Sequence, residues 1–318
     1  MIVAPRTVPF ADGNGGRRIT VWGAPSTGKT TFLAALKVAL DRQNEPWRVI
    51  GADEAAAEAL TRFERVLVED RVFPEATQRP ELYRWELIGT VRRRLPWRWL
   101  GYKMRDETVA IPLELVDTPG ESADPVTSGQ VRSRALVENI ERSRGIAFFF
   151  DTARELENGD AFEHANAVIH VVSQRMRDRG RLMPDGRLPH NVAVCIAKFD
   201  ELRMAETARR FRMIDYDERG VPRVPDSEAR EFVVRLCGQF PSRDPELILS
   251  KLERAFHPDR VRYFVTSAIG FYVDPRTDRC DPEDFQNHLP AQAGRPPQIR
   301  GDVIPVNVAE PILWLAQA

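Results

Sequence analysis

Gly23-Ala24-Pro25-Ser26-Thr27-Gly28-Lys29-Thr30 is the stretch that decides the fold. It follows Arg18 to Trp22, a short run rich in β-branched residues, and leads into Thr30 to Ala39, which reads as a helix. The octet matches G-x-x-x-x-G-K-[S/T] in full, in the strand-loop-helix context that its mechanism requires. Glycines let the backbone curl until successive N–H groups face an anion, and the positive end of the following helix adds to that field. Lysine at position 29 is expected to bridge two phosphates, with the Thr30 hydroxyl on magnesium. The segment Gly23 to Thr31, with Ser26, Thr27, Gly28 and Thr31, is therefore read as a polyphosphate cradle. The plainer alternative, a glycine-rich turn with no ligand, leaves both the lysine and the context unexplained.

Working outward, Leu113 to Val116 forms an apolar strand that ends on Asp117, followed by Thr118-Pro119-Gly120. A carboxylate there supplies a second magnesium ligand, and Gly120 can offer its N–H to a terminal phosphate with no side chain in the way. Ile146 to Phe150, Val192 to Ala197 and Arg262 to Thr266 read as buried strands alternating with helical segments. The helices are expected after a cap at Asp53, over Val131 to Arg142, from about Asp160 to Arg175, and over Val308 to Leu315. The fold class that follows is a three-layer α/β P-loop NTPase fold with a mostly parallel sheet. Leu82 to Thr90 and Thr108 to Val116 add an antiparallel hairpin. Residues 1–17 read as a flexible lead, and 18–318 as one domain with helical insertions at about 45–76 and 202–260. Cys280 to Gly301 is proline-rich and is expected to be irregular.

Composition narrows the function classes. The 318 residues carry a net charge of -1, so no global field favours nucleic acid or an anionic surface. No stretch approaches the length of a membrane span and no secretion signal is evident, so a cytoplasmic protein is expected. Three widely spaced cysteines fit neither a disulfide framework nor a zinc site. Only five of the 46 basic residues are lysine, and Lys29 and Lys198 both fall in candidate nucleotide motifs.

Ala197-Lys198-Phe199-Asp200 follows one buried strand and Ser267-Ala268 follows the next. With Asp117-Thr-Pro-Gly120 upstream, these residues resemble, in order, the GTPase superfamily of P-loop proteins, the class of translation factors and Ras. The resemblance implies GTP and GDP as ligands with Mg2+. It places Asp200 on guanine N1–H and N2–H, Lys198 along the base plane, and the Ala268 N–H on guanine O6. It also implies a threonine that closes over magnesium when the γ-phosphate is present, for which Thr77 is the candidate. Ala197 departs from the usual Asn or Thr and removes one contact that braces the phosphate loop. Glu121 stands where Ras-like members use glutamine to orient water, so slow hydrolysis is expected. Arg132, Arg134 and Arg142 are candidates for an internal arginine finger, against the plainer reading of a solvated helix face. Three readings stay open: a hydrolysing GTP switch, a non-hydrolysing nucleotide-binding module, and an ATP-using P-loop protein.

Within the superfamily the chain is most similar to the bacterial double-GTPase domains, through Phe73-Pro-Glu-Ala-Thr77, Asp117-Thr-Pro-Gly-Glu121 and Val308-Ala-Glu-Pro-Ile-Leu-Trp-Leu315. That similarity implies a partner that is a second GTPase or another protein encoded nearby, in systems proposed to act in bacterial conflict. The segment Arg92 to Tyr102 interleaves arginine with tryptophan and is a candidate contact surface, unless its aromatics pack on an adjacent helix. No nucleic-acid specificity is expected. The five histidines have no ligand spacing and receive no chemistry.

Overall fold

A strand whose every side chain is buried needs neighbours on both edges and cover on both faces, and Gly145–Phe150 (β5) is such a strand. In the computed structural model it lies inside a seven-stranded sheet. The structure describes residues 18–24, 27–43, 46–75, 81–97, 101–117, 125–151, 161–239, 245–292 and 296–318. The sheet is built from β1 (Ile19–Gly23), β2 (Arg48–Gly51), β3 (Glu81–Trp97), β4 (Gly101–Asp117), β5, β6 (Asn191–Ile196) and β9 (Val261–Val265), in the order β2-β3-β4-β1-β5-β6-β9. Pairing is parallel from β4 through β1, β5 and β6 to β9, and antiparallel on both sides of β3. One antiparallel strand in a mostly parallel sheet is the expected architecture.

Alternation along β5 divides the core in two. Ala147 and Phe149 face a cluster built with α1 (Lys29–Gln43), α2 (Glu54–Val68) and α8 (Ala309–Gln317). Ile146, Phe148 and Phe150 face the other cluster, built with α3 (Pro125–Arg142), α4 (Ala161–Asp178), α5 (Leu202–Arg210), α6 (Ala229–Cys237) and α7 (Pro245–Ala255). Helix-sheet-helix layering follows from this double burial. Between α5 and α6 lies a small ribbon, β7 (Asp215–Tyr216) with β8 (Pro222–Arg223).

Asp53 caps α2 as expected, its carboxylate accepting from the Ala56 N–H at 2.8 Å. The helix buries Ala56, Leu60, Phe63 and Leu67 at helical spacing, and the Trp85 indole of β3 donates to the Ala56 carbonyl at 3.1 Å.

Two elements differ from expectation. The hairpin strands run beyond the expected ends at Thr90 and Thr108, through the Arg- and Trp-rich segment that joins them, to the pair Trp97↔Gly101. β1 pairs with β4 only at Leu113 to Leu115, and β2 with β3 only at Trp85 to Ile88. Beyond those contacts the hairpin is a two-stranded arm. Val91 of β3 and Ile111 of β4 still join the core cluster built with α1 and α2, and Val109 packs against it. The second difference is in Cys280 to Gly301, which contains a ribbon of β10 (His288–Leu289) and β11 (Gln298–Ile299).

Candidate functional site

Parallel strands bring their C-terminal ends to one edge, and β1 delivers Gly23 there with α1 starting at Lys29. Gly28 has φ +82°, a left-handed conformation that L side chains rarely adopt. Gly23 is required for space: a Cβ there would stand 2.7 Å from the Phe149 carbonyl oxygen. Lys29 is buried, and its ammonium reaches back across the loop to donate to the Ala24 carbonyl at 2.7 Å. The Thr27 hydroxyl donates to the same carbonyl at 2.9 Å. The loop is thus closed by its own side chains, with Thr30 and Thr31 on the first turn of α1.

The residues read from the sequence as base-recognising converge from β6 and β9. Phe199 N–H donates to the Thr266 carbonyl at 3.0 Å, which ties the two post-strand loops together. Ser267 Oγ then donates to Asp200 Oδ1 and accepts from the Gly270 N–H at 2.8 Å. Asp200 is buried, and burial pushes its carboxyl above the ordinary range while the Ser267 bond opposes that rise. Lys198 adopts φ +62°, and its Nζ donates to the buried Asp151 at 2.6 Å. It is therefore tied to the end of β5 at the rim of the site. A cavity of about 420 Å³ joins these parts and is lined by Thr27, Gly28 and Thr31 as well as by Lys198, Asp200 and Ala268. That volume lies in the range of small-molecule and cofactor sites.

The Double-GTPase 2 family model matches residues 17–226, which takes in the phosphate loop and Asp200. The chain belongs to the Double-GTPase 2 family. It is a GTP-binding P-loop protein of the GTPase superfamily. No curated protein matches it. Solved structures similar to it include a single-residue variant of Aquifex aeolicus Era bound to GDP.AlF4-, at 13% identity and TM-score 0.28, covering 79% of this chain and 50% of that one. Era in complex with MgGDPNP and nucleotides 1506-1542 of 16S ribosomal RNA aligns at 12% identity and TM-score 0.30, covering 79% and 51%. The signal recognition particle receptor SRb-GTP/SRX complex from Chaetomium thermophilum aligns at 13% and TM-score 0.35, covering 83% and 96%. The chain spans about half the length of the Era chains. At these TM-scores no residue role transfers from them.

Residues of the phosphate loop and those read from the sequence as base-recognising thus line one cavity. Asp117 ends β4 beside the end of β1, described by its backbone. Ser26, Thr77, Gly120 and Glu121 lie outside the described residues, as does the lead 1–17. Arg134 pairs with Glu138 one turn along α3 at 3.1 Å and Arg142 is exposed, while the Arg132 side chain lies outside the described residues. Sequence reasoning missed Asp151, although its signal matched that of Asp117: a carboxylate directly after an apolar strand. It also missed Phe73, Gln286 and His288, all of which line the cavity.

Proposed function

We propose that this chain is a guanine-nucleotide switch that binds GTP and GDP with magnesium, hydrolyses GTP slowly, and signals the γ-phosphate to a protein partner. The observation that carries this reading is the buried Asp200 lining the same cavity as Gly28, with Ser267 holding one of its oxygens. Guanine presents two donors, N1–H and N2–H, to such a carboxylate. Adenine presents neither, and an unpaired buried acceptor costs about 1–3 kcal/mol or more when charged. Lys29 supplies a fixed positive charge at the phosphates. The Asp151–Lys198 pair anchors the base loop where Ala197 offers no side-chain brace.

Magnesium fits the donor set. Thr30 gives a hydroxyl and Asp117 a carboxylate at the same edge of the sheet, both hard oxygen donors, with the phosphates completing the shell. Bound there, the ion would neutralise charge that develops on the phosphates. Thr77 is the residue proposed to close the switch loop, and Gly120 to offer its N–H to the γ-phosphate. At Glu121 a carboxylate beside that phosphate repels it, which supports a slow intrinsic rate.

Displacement of labelled GDP by GTP, GDP and ATP, with single-turnover phosphate release in magnesium and in EDTA, tests the reading. GTP is expected to displace well and ATP poorly. ATP displacing as well as GTP removes the role of Asp200, and phosphate release at the buffer rate removes hydrolysis.

The partner is a second GTPase or another protein encoded nearby, met in the cytoplasm. Among the described residues no helix is long and apolar enough to cross a membrane. The contact surface is the β3–β4 arm. Residues 92–105 hold six basic residues and no acidic one in a chain of net charge -1, so the arm is matched to an acidic protein face. Co-sedimentation with the neighbouring gene product should be lost when Arg92, Arg93 and Arg94 are changed to Glu. Unchanged binding overturns that assignment.

A further inference from the structure

Residues 285 to 288 alternate between two environments. Phe285 and Asn287 are buried, while Gln286 and His288 between them are exposed and line the nucleotide cavity. In extended backbone successive side chains point to opposite sides, so anchoring two of these residues aims the other two. The anchor is strong. Asn287, fully buried, donates from Nδ2 to the Ile269 and Asp302 carbonyls at 3.0 and 3.1 Å, and accepts from the Gly301 N–H at 2.8 Å. Ile269 is the residue directly after Ser267-Ala268, so the segment is stapled to the loop that reads the base.

A second attachment comes from the approach to the switch loop. Ile299 N–H donates to the Arg71 carbonyl at 2.7 Å, Val72 bridges to Gln298, and Arg71 pairs with Asp302 at 3.0 Å. Phe73 then meets the His288 ring edge-on, with centroids 5.5 Å apart. The cavity therefore has a wall that the phosphate loop and the two base motifs do not provide. This wall lines the same cavity as Asp200 and Ala268.

We infer that the C-terminal ribbon is the second wall of the nucleoside site, with Gln286 and His288 contacting the sugar and base of a bound guanine nucleotide. The inference rests on the guanine-nucleotide reading above. A carboxamide and an imidazole each offer a donor and an acceptor, which suits ribose hydroxyls as well as base edges and is ill suited to binding phosphate charge. Both side chains are exposed, so their presence is not explained by the core.

Calorimetric titration of the full chain with GDP and with GTP tests this. His288→Ala and Gln286→Ala should each weaken both nucleotides by the same factor, about 5- to 10-fold, the scale of one or two lost hydrogen bonds. The apo unfolding midpoint should stay unchanged for Gln286→Ala, whose side chain is exposed, and should fall only slightly for His288→Ala, which loses its edge contact with Phe73. In a measurement on the unaltered protein, GDP should slow modification of His288 by diethyl pyrocarbonate while leaving the partly exposed His257 unaffected. A double variant that binds GDP and GTP within about twofold of the parent overturns the inference. So does a loss confined to GTP, or an equal modification rate at His288 with and without GDP. If the parent chain binds neither nucleotide, the guanine-nucleotide reading fails as well; if the parent binds and the variants match it, only the ribbon's role fails.

Discussion

Replacing Asp200 with Asn changes one oxygen for an amide nitrogen in the cavity. The carboxylate can accept from guanine N1–H and N2–H while Ser267 donates to Oδ1. Asn keeps one acceptor and sets its NH2 against the other guanine donor. A hydrogen bond to a charged group contributes about 1.5–3 kcal/mol, and a donor facing a donor adds a penalty, so a loss of about 3–4 kcal/mol follows. That is about 150- to 1,000-fold in Kd for GDP, read by calorimetry. A xanthine nucleotide, which has a carbonyl at C2, should regain affinity in the same variant. Folding should not suffer. Burial holds the Asp200 carboxyl above its ordinary pKa, so ionisation is less favourable in the folded chain than in the unfolded one. That cost is present once the pH exceeds the unfolded value, and Asn removes it, leaving the apo unfolding midpoint at neutral pH unchanged or higher. In the parent, binding needs the ionised form, so GDP affinity should fall on acidification from a pH above the ordinary carboxylate range. The variant should lack that dependence. A loss for GDP under about fivefold, or an equal loss for ADP, would refute the reasoning.

Lys29→Ala should weaken GDP and GTP by about 100-fold or more, since it deletes the one described lysine aimed into the phosphate loop, and GTP should suffer more than GDP. Asp151→Asn weakens the tie on Lys198 and should speed GDP dissociation about 5- to 10-fold in stopped flow, with the preference for guanine over adenine kept; a changed preference would contradict an anchoring role. Asp53→Ala removes the cap of α2 and should cost about 1 kcal/mol in urea unfolding with no effect on GDP affinity.

Parts of the molecule were legible in the sequence because their chemistry is local. Gly28 must take a left-handed φ, Asp53 must cap its helix, and a fully apolar run such as Ile146 to Phe150 has few places to go other than the centre of a sheet. Asp200 and Ser267-Ala268 were readable because each follows a buried strand, and parallel strands deliver such residues to one edge. The ribbon over residues 285–299 was opaque. Its strands are two residues long and its stapling residue, Asn287, is polar, so neither alternation nor hydrophobicity marked it. His288 looked solitary because its partners, Phe73 and Asp200, are 215 and 88 positions away. The hairpin of β3 and β4 was expected over Leu82 to Thr90 and Thr108 to Val116, but not its full length, because the Arg- and Trp-rich run between them has no apolar alternation to mark it as strand.

That arm carries a liability of its own. Among the described residues, no third strand pairs with 89–97 or with 101–112, so two long edges expose backbone donors and acceptors to any extended chain. The register sets Arg93 directly opposite Arg105, with Arg92, Arg94 and Lys103 on neighbouring rungs. Edge-to-edge pairing of this arm with another copy would bring like-charged residue positions together, a pattern that disfavours such pairing. Neutralising these residues is expected to increase self-association of the chain, read by light scattering.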